Sequence, residues 1–283
     1  MNVARALLLG ALQGLTEFLP VSSTAHLYIL QMLLKIENDA VALSFDVVLH
    51  LGTAAALVLA MSGEILRILR ELPLFLTARR ARDPEARAVI LPLAAGTVPG
   101  VLAGLFLLKR IEGLRTLGLI GLSMLVACAY FLFSERHGRR ILRERDLSKV
   151  TLADGLWIGL AQAAAGLMAG FSRAGFTIAT GRLRGLARGE AARFSFLLGL
   201  PIILGAGAKT LLDLRKTPQP AISGSVLAAG FLAAALVGFV TVRFLLRYLK
   251  SHSLRPFAVY LGLLGLVLVA YSLARHLPFL AAR

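Results

Sequence analysis

Leu12-Gln13-Gly14-Leu15-Thr16-Glu17-Phe18-Leu19-Pro20-Val21-Ser22-Ser23-Thr24-Ala25-His26 sets an acid, an amide, hydroxyls and an imidazole into a run otherwise as apolar as a membrane helix. Gln13 and Glu17, four residues apart, share one helix face, and Pro20, which has no N–H to give, stops that helix. Ser22, Ser23 and Thr24 then serve as N-cap residues for a second helix from about Ala25 to Leu34. The pattern is helix, polar break, helix.

In hydrocarbon such a break is costly, because unpaired backbone groups find no water there, so it belongs where it lines a protein-enclosed, wet cavity. A helix N-terminus in that cavity offers free N–H groups and a positive dipole end, which makes phosphate the first ligand to consider. The plainer alternative, a kinked span with incidental polar residues, leaves a Glu and a His so close together in an apolar run unexplained.

Over 283 residues the chain is 58% hydrophobic and 16% charged, with a mean hydropathy of +0.78. The apolar stretches are continuous and do not alternate, which marks a helical integral membrane protein. No Ser/Pro/Gly-rich linker or low-complexity block divides it, so one membrane domain, 1–283, is expected. The net charge of +16, from 31 Lys and Arg against 15 Asp and Glu, would suggest nucleic acid in a soluble protein. Here the basic residues gather beside spans, so the positive-inside rule accounts for them and no nucleic-acid partner is expected. The single cysteine, Cys128, lies in an apolar span and says nothing of redox compartment. Arg5 ahead of an apolar run has the outline of a secretory signal, but Gln13, Thr16 and Glu17 interrupt the run, and the segment is read as mature protein.

After the first break, Phe45–Met61 is long enough to span, with Asp46 and His50 near its start. A charged loop is expected over Glu64–Arg87, then spans at Ile90–Leu108 and Thr116–Phe133 joined by a turn around Glu112-Gly113, then a second basic loop over Glu135–Lys149 that includes Arg139, Arg140 and Arg143. Leu152–Ala169 is helical and ends at a second break, Gly170-Phe171-Ser172-Arg173-Ala174-Gly175, with a further helix from about Phe176. Phe194–Leu212 spans, Asp213–Pro220 turns, and Ile222 to about Leu246 returns to a third basic cluster, Arg243, Arg247, Lys250 and Arg255, before the last span, Phe257–Leu273. With the three clusters cytoplasmic, the region 152–188 is re-entrant or a pair of short crossings, and both termini lie outside.

Gly10, Gln13 and Ser23 match Gly159, Gln162 and Ser172 at one offset of 149 residues, and Phe45 and Phe194 keep it. Each half is a helix-break-helix followed by three spans, an odd number, so repeats 1–134 and 150–283 are inverted relative to each other. Inverted repeats with broken helices bring the breaks together near mid-membrane, where a site is built. The expected fold is therefore an all-α integral membrane protein, an inverted-topology repeat with two re-entrant hairpins and about six full spans.

The two breaks differ usefully. Glu17 and His26 stand where the second half has Gly166 and Gly175, and Arg173 stands where the first has Thr24. Arg173, just after the N-cap candidate Ser172, can hold phosphate oxygens in bidentate fashion, or merely pair with Glu17 to hold the bundle together. Ser23 can attack phosphorus if His26 or Glu17 takes its proton. Gln13 and Glu17 offer hard oxygens to Mg²⁺ or Ca²⁺, with phosphate and water completing the shell.

The first motif, together with Gly170-Phe171-Ser172-Arg173-Ala174-Gly175-Phe176-Thr177, Phe45–Gly52 and Glu190–Phe196, resembles the undecaprenyl pyrophosphate phosphatase family of bacitracin-resistance type, over nearly the whole chain. The resemblance implies an inverted-repeat helical membrane fold that hydrolyses the lipid carrier diphosphate to monophosphate and inorganic phosphate with a divalent cation, returning the carrier to cell-wall precursor synthesis in a bacterial inner membrane. It implies metal and acid-base roles for Glu17 and Gln13, Ser23 as nucleophile, His26 as its assisting group, and Ser172 with Arg173 as a diphosphate clamp. Ser22, Thr24 and Thr177 join the clamp as substrate contacts. The second motif departs from the family pattern at Ala169 and Ala174, where Pro and Ser are usual, and Gln13 removes one negative charge from the metal site. The oligomeric state stays open, a homodimer among the options. The competing function is a transporter of a polyprenyl phosphate or another anion through the same midplane site, which needs Arg173 and the helix N-termini but has no use for Ser23 beside His26 and Glu17.

Overall fold

The computed structural model describes residues 1–36, 39–106, 116–138, 144–214 and 222–281. Among them are eleven α-helices: α1 Val3–Thr16, α2 Ser23–Leu33, α3 Asp39–Ala60, α4 Ser62–Leu76, α5 Pro84–Phe106, α6 Leu117–Gly138, α7 Leu152–Leu167, α8 Arg173–Leu183, α9 Arg188–Leu214, α10 Gly224–Tyr248 and α11 Arg255–Ala281. No strand occurs among the described residues; Arg145 and Leu186 form an isolated bridge. Five helices, α5, α6, α9, α10 and α11, are long and apolar enough to cross a hydrocarbon core, and α3 with α4, bent by 80° between them, makes a sixth. The protein is an all-α, multi-pass membrane protein. The turn expected at Glu112-Gly113 and the residues Arg139, Arg140 and Arg143 lie outside the described residues.

The largest departure from the sequence reading is the expected loop at Glu64–Arg87. Its first half is α4, an amphipathic helix that places Ile65 and Ile68 against the core while Leu66, Leu69 and Leu76 stay exposed. Its apolar residues recur at a helical period between the charges. The segment after α4 is pinned by acids: buried Glu71 accepts the backbone N–H groups of Arg82 and Asp83 at 2.8 and 2.7 Å, and Asp83 takes Arg67. Other boundaries move by a few residues. α1 ends at Thr16, ahead of Pro20, α8 starts at Arg173 and not near Phe176, and α9 runs on to Leu214, beyond which 215–221 lies outside the described residues.

Packing is crosswise. α1 lies against α10 and α7 against α5, while α6 packs on α11 and α3 on α9 and α10. The first two contacts bring backbones together: a Cβ on Gly10 would meet the Gly230 carbonyl at 2.4 Å, and one on Gly159 the Gly96 carbonyl at 2.2 Å. Some of the basic residues are paired with acids on other elements. Asp154, which closes a capping box with Thr151, takes Arg145 and Arg184 at 2.9 and 2.8 Å, and buried Glu135 takes Arg188 at 2.7 Å and the Leu254 N–H at 3.0 Å. The two helices that follow the breaks are held very differently: α8 buries nine of its eleven residues, whereas α2 buries only Ala25 and Leu27.

Candidate active site

The site grows from one carboxylate. Glu17 caps the C-terminus of α1, where its N–H still bonds to the Gln13 carbonyl, and its side chain is buried. The i, i+4 spacing is realised directly, since Gln13 Nε2 donates to Glu17 Oε2 at 3.0 Å. Ser23 Oγ, the first residue of α2, donates to the same oxygen at 2.8 Å. From the other half of the chain, Arg173 Nη2 reaches Glu17 Oε1 at 2.8 Å. A fourth group, His50 Nε2 of α3, lies 3.7 Å from Glu17 Oε2, its Nδ1–H given to the Asp46 carbonyl. Amide, hydroxyl, guanidinium and imidazole thus converge on one acid.

Local backbone explains how they get there. Ser22 sits at φ +72°, ψ 92°, an unusual conformation for a residue with a side chain, and this turn swings Ser23 back toward Glu17. Ser22 holds the N-cap position without capping through its side chain. Its hydroxyl lies 3.3 Å from Thr24 Oγ1 and its carbonyl accepts from His26. In the second break Ser172 does cap, accepting the Gly175 N–H at 3.1 Å, and this sets Arg173 at the head of α8.

The structure does not bring His26 to Ser23. Its Nδ1 is 2.7 Å from the Ser22 carbonyl oxygen and its Nε2 is 2.6 Å from Tyr260 OH, so both ring nitrogens are engaged. Thr177 is also turned away. Fully buried, it bonds the carbonyls of Arg173 and Ala174 and lies 2.5 Å from Ser195 Oγ, tying α8 to α9. Glu17 is therefore the group placed to take the Ser23 proton, and Arg173 the group placed to meet an anion.

Two polar atoms at the site have no hydrogen-bond partner among the described residues: Arg173 Nη1 and Gln13 Oε1, both buried. A buried guanidinium N–H without an acceptor is a donor kept for an anion. The unpartnered amide oxygen and the Glu17 carboxylate are hard oxygens of the kind Mg²⁺ and Ca²⁺ accept but make only a partial shell, and no group of three or more His, Cys, Asp or Glu able to hold a metal occurs among the described residues.

The sequence places His50 in a span without assigning it a role, and no motif singles out Tyr260 or Gly199. One signal was available for two of them. His50 and Gly199 are themselves 149 residues apart, so they hold equivalent places flanking the two breaks.

A family model described as bacitracin resistance protein BacA matches residues 6–267. The chain belongs to the BacA family. Its relatives include a protein of Rubrobacter xylanophilus named undecaprenyl-diphosphatase, 41% identical over 275 residues that cover 96% of this chain and 99% of the relative. Relatives of the same name occur in Desulforudis audaxviator, 37% identical with 97% of this chain and all of the relative covered, and in Thermomicrobium roseum, 39% identical with 95% and 98% covered.

Proposed function

We propose that this BacA-family protein hydrolyses undecaprenyl diphosphate, a polyprenyl diphosphate lipid, to the monophosphate and inorganic phosphate, and so recycles a lipid carrier for cell-wall synthesis in a bacterial cytoplasmic membrane. The observation that carries this reading is the buried carboxylate of Glu17, bonded at one oxygen to Ser23 and at the other to Arg173. The names of the relatives support the substrate class.

The chemistry follows from the bonds. The terminal phosphoryl group replaces Glu17 as the partner of Arg173, whose second nitrogen supplies a further donor, and its negative charge is thereby neutralised. Glu17, released from the guanidinium, takes the Ser23 hydroxyl proton as Ser23 Oγ bonds to phosphorus and the bridging P–O bond breaks. Glu17 passes that proton to the oxygen of the departing lipid monophosphate and, a carboxylate again, takes a proton from the water that attacks the phosphoserine, so that inorganic phosphate leaves and the proton returns to Ser23 Oγ. A divalent cation, held by Gln13 Oε1 and Glu17, would supply further charge neutralisation on the diphosphate. A transporter would need Arg173 but gains nothing from the Ser23–Glu17 hydrogen bond, which is why hydrolysis is preferred.

Two inverted repeats, 1–134 and 150–283, give a consistent account of the position of the site. The first helix of each half packs on the second long span of the other, α1 on α10 and α7 on α5, through equivalent glycines. With the basic clusters inside, the site opens toward the outer face.

The deciding assay is phosphate release from a polyprenyl diphosphate in detergent, with and without Mg²⁺ or Ca²⁺. Cation-dependent release should fall roughly 10²- to 10⁴-fold in Glu17→Gln and in Ser23→Ala, and about 10²- to 10³-fold in Arg173→Ala. Folded protein that binds the lipid but releases no phosphate would leave transport as the function.

A further inference from the structure

We propose that Tyr260 is a positioning residue that latches α2 to α11 through His26, and that the latch opens when the lipid diphosphate is admitted between these helices. The inference rests on reading the first break as a phosphatase site. His26 Nδ1 faces the Ser22 carbonyl oxygen, which can only accept, so Nδ1 carries the proton of the neutral ring. Nε2 is then a lone pair, and Tyr260 donates its hydroxyl to it across 2.6 Å. The rings also stack, with centroids 5.7 Å apart and planes 15° apart. In this arrangement His26 has no nitrogen left for Ser23 or for a substrate.

Two further observations place an opening there. α2 carries Ser23 and His26 yet buries only two of its residues, so it is the lightly held helix of the site, and the bond to Tyr260 ties it to a helix 234 residues away in the chain. Tyr260 is 43% exposed on an apolar flank of α11, beside exposed Val259 and Leu263, and in a membrane protein that flank meets acyl chains. A polyprenyl chain in the bilayer therefore reaches the seam at the residue that caps the imidazole. Its diphosphate, arriving from that side, is met by Nε2 only when that nitrogen carries a proton and donates it, which requires the Tyr260 hydroxyl to withdraw.

The test compares the unmodified protein with Tyr260→Phe in detergent by two readouts. Diethyl pyrocarbonate acylates unprotonated imidazole, and peptide mass spectrometry follows His26 with His50 as internal reference. Loss of the hydroxyl should speed His26 modification about fivefold, the scale of one neutral hydrogen bond, and Tyr260→Leu, which also removes the stacked ring, should do at least as much. In hydrolysis of a polyprenyl diphosphate with Mg²⁺, Tyr260→Phe should lower KM about threefold, a larger change than in kcat, because substrate no longer displaces the hydroxyl. Equal His26 modification in the unmodified protein and the variants overturns the latch. Faster modification with KM unchanged overturns its role in admitting substrate. If the unmodified protein releases no phosphate, the modification rates still decide the latch, and it is the phosphatase reading that fails.

Discussion

A Cβ at position 199 would lie 1.9 Å from Arg173 Nη1, so the guanidinium can reach Glu17 only because α9 has a glycine there. The atom in the way is the end of a flexible side chain, so Gly199→Ala should move Arg173 and leave the fold intact. Phosphate release should drop about 10- to 100-fold, the range for losing one charge-assisted contact, with the detergent melting temperature nearly unchanged. A variant as active as the parent would show that Arg173 needs no fixed seat. The pairing of Gln13 with Glu17 was legible in the sequence because a helix enforces i, i+4 proximity. The direction of His26 was not, because the same spacing from Ser23 holds whether the ring turns toward the serine or toward Tyr260. His50 was equally hidden, since its nearness to Glu17 depends on how α3 packs.

Among the elements, α8 and α4 show what caps and acids do. Ser172→Ala removes the hydroxyl that accepts the Gly175 N–H and should cost about 1 kcal/mol of stability, measured as a lower midpoint in thermal or denaturant unfolding. Asp83 joins α4 to α5 through Arg67, at 2.5 Å, and that guanidinium holds its carboxyl down at about 2, against an ordinary 3.8. Because the folded value is the depressed one, the pair stabilises fully above pH 3.8 and its contribution is lost as pH falls through about 2. Asp83→Asn should therefore melt lower than the parent near neutral pH, and the gap should narrow below pH 4. A gap that stays constant down to pH 3 would remove Asp83 from the account. Helices with long unbroken apolar runs were legible, and α4 was not, because its charges are spaced on one face of a helix that lies across the end of α3.

At the scale of the whole molecule, the crosswise contacts of α1 with α10 and α7 with α5 have to hold for the two breaks to meet. The Cβ of Gly159→Val would collide with backbone of Gly96, which cannot move aside as a side chain can. This substitution should destabilise the protein by about 2 kcal/mol or more, and a monodisperse, active Gly159→Val protein would contradict the packing. Gly10→Val should behave alike at the Gly230 carbonyl.

Composition and period alone determined that this chain is a multi-pass helical membrane protein, and motif spacing singled out Glu17, Ser23 and Arg173, because helix length and i, i+4 contacts depend only on nearby residues. Only the tertiary structure decided that Glu17 joins Ser23 to Arg173, that His26 turns to Tyr260, that Thr177 faces α9, and that His50 and Gly199 border the site. Apart from Glu17 to Ser23, which the turn at Ser22 brings together, these contacts join different helices, and a side chain's direction across such an interface is set by the partner it packs against.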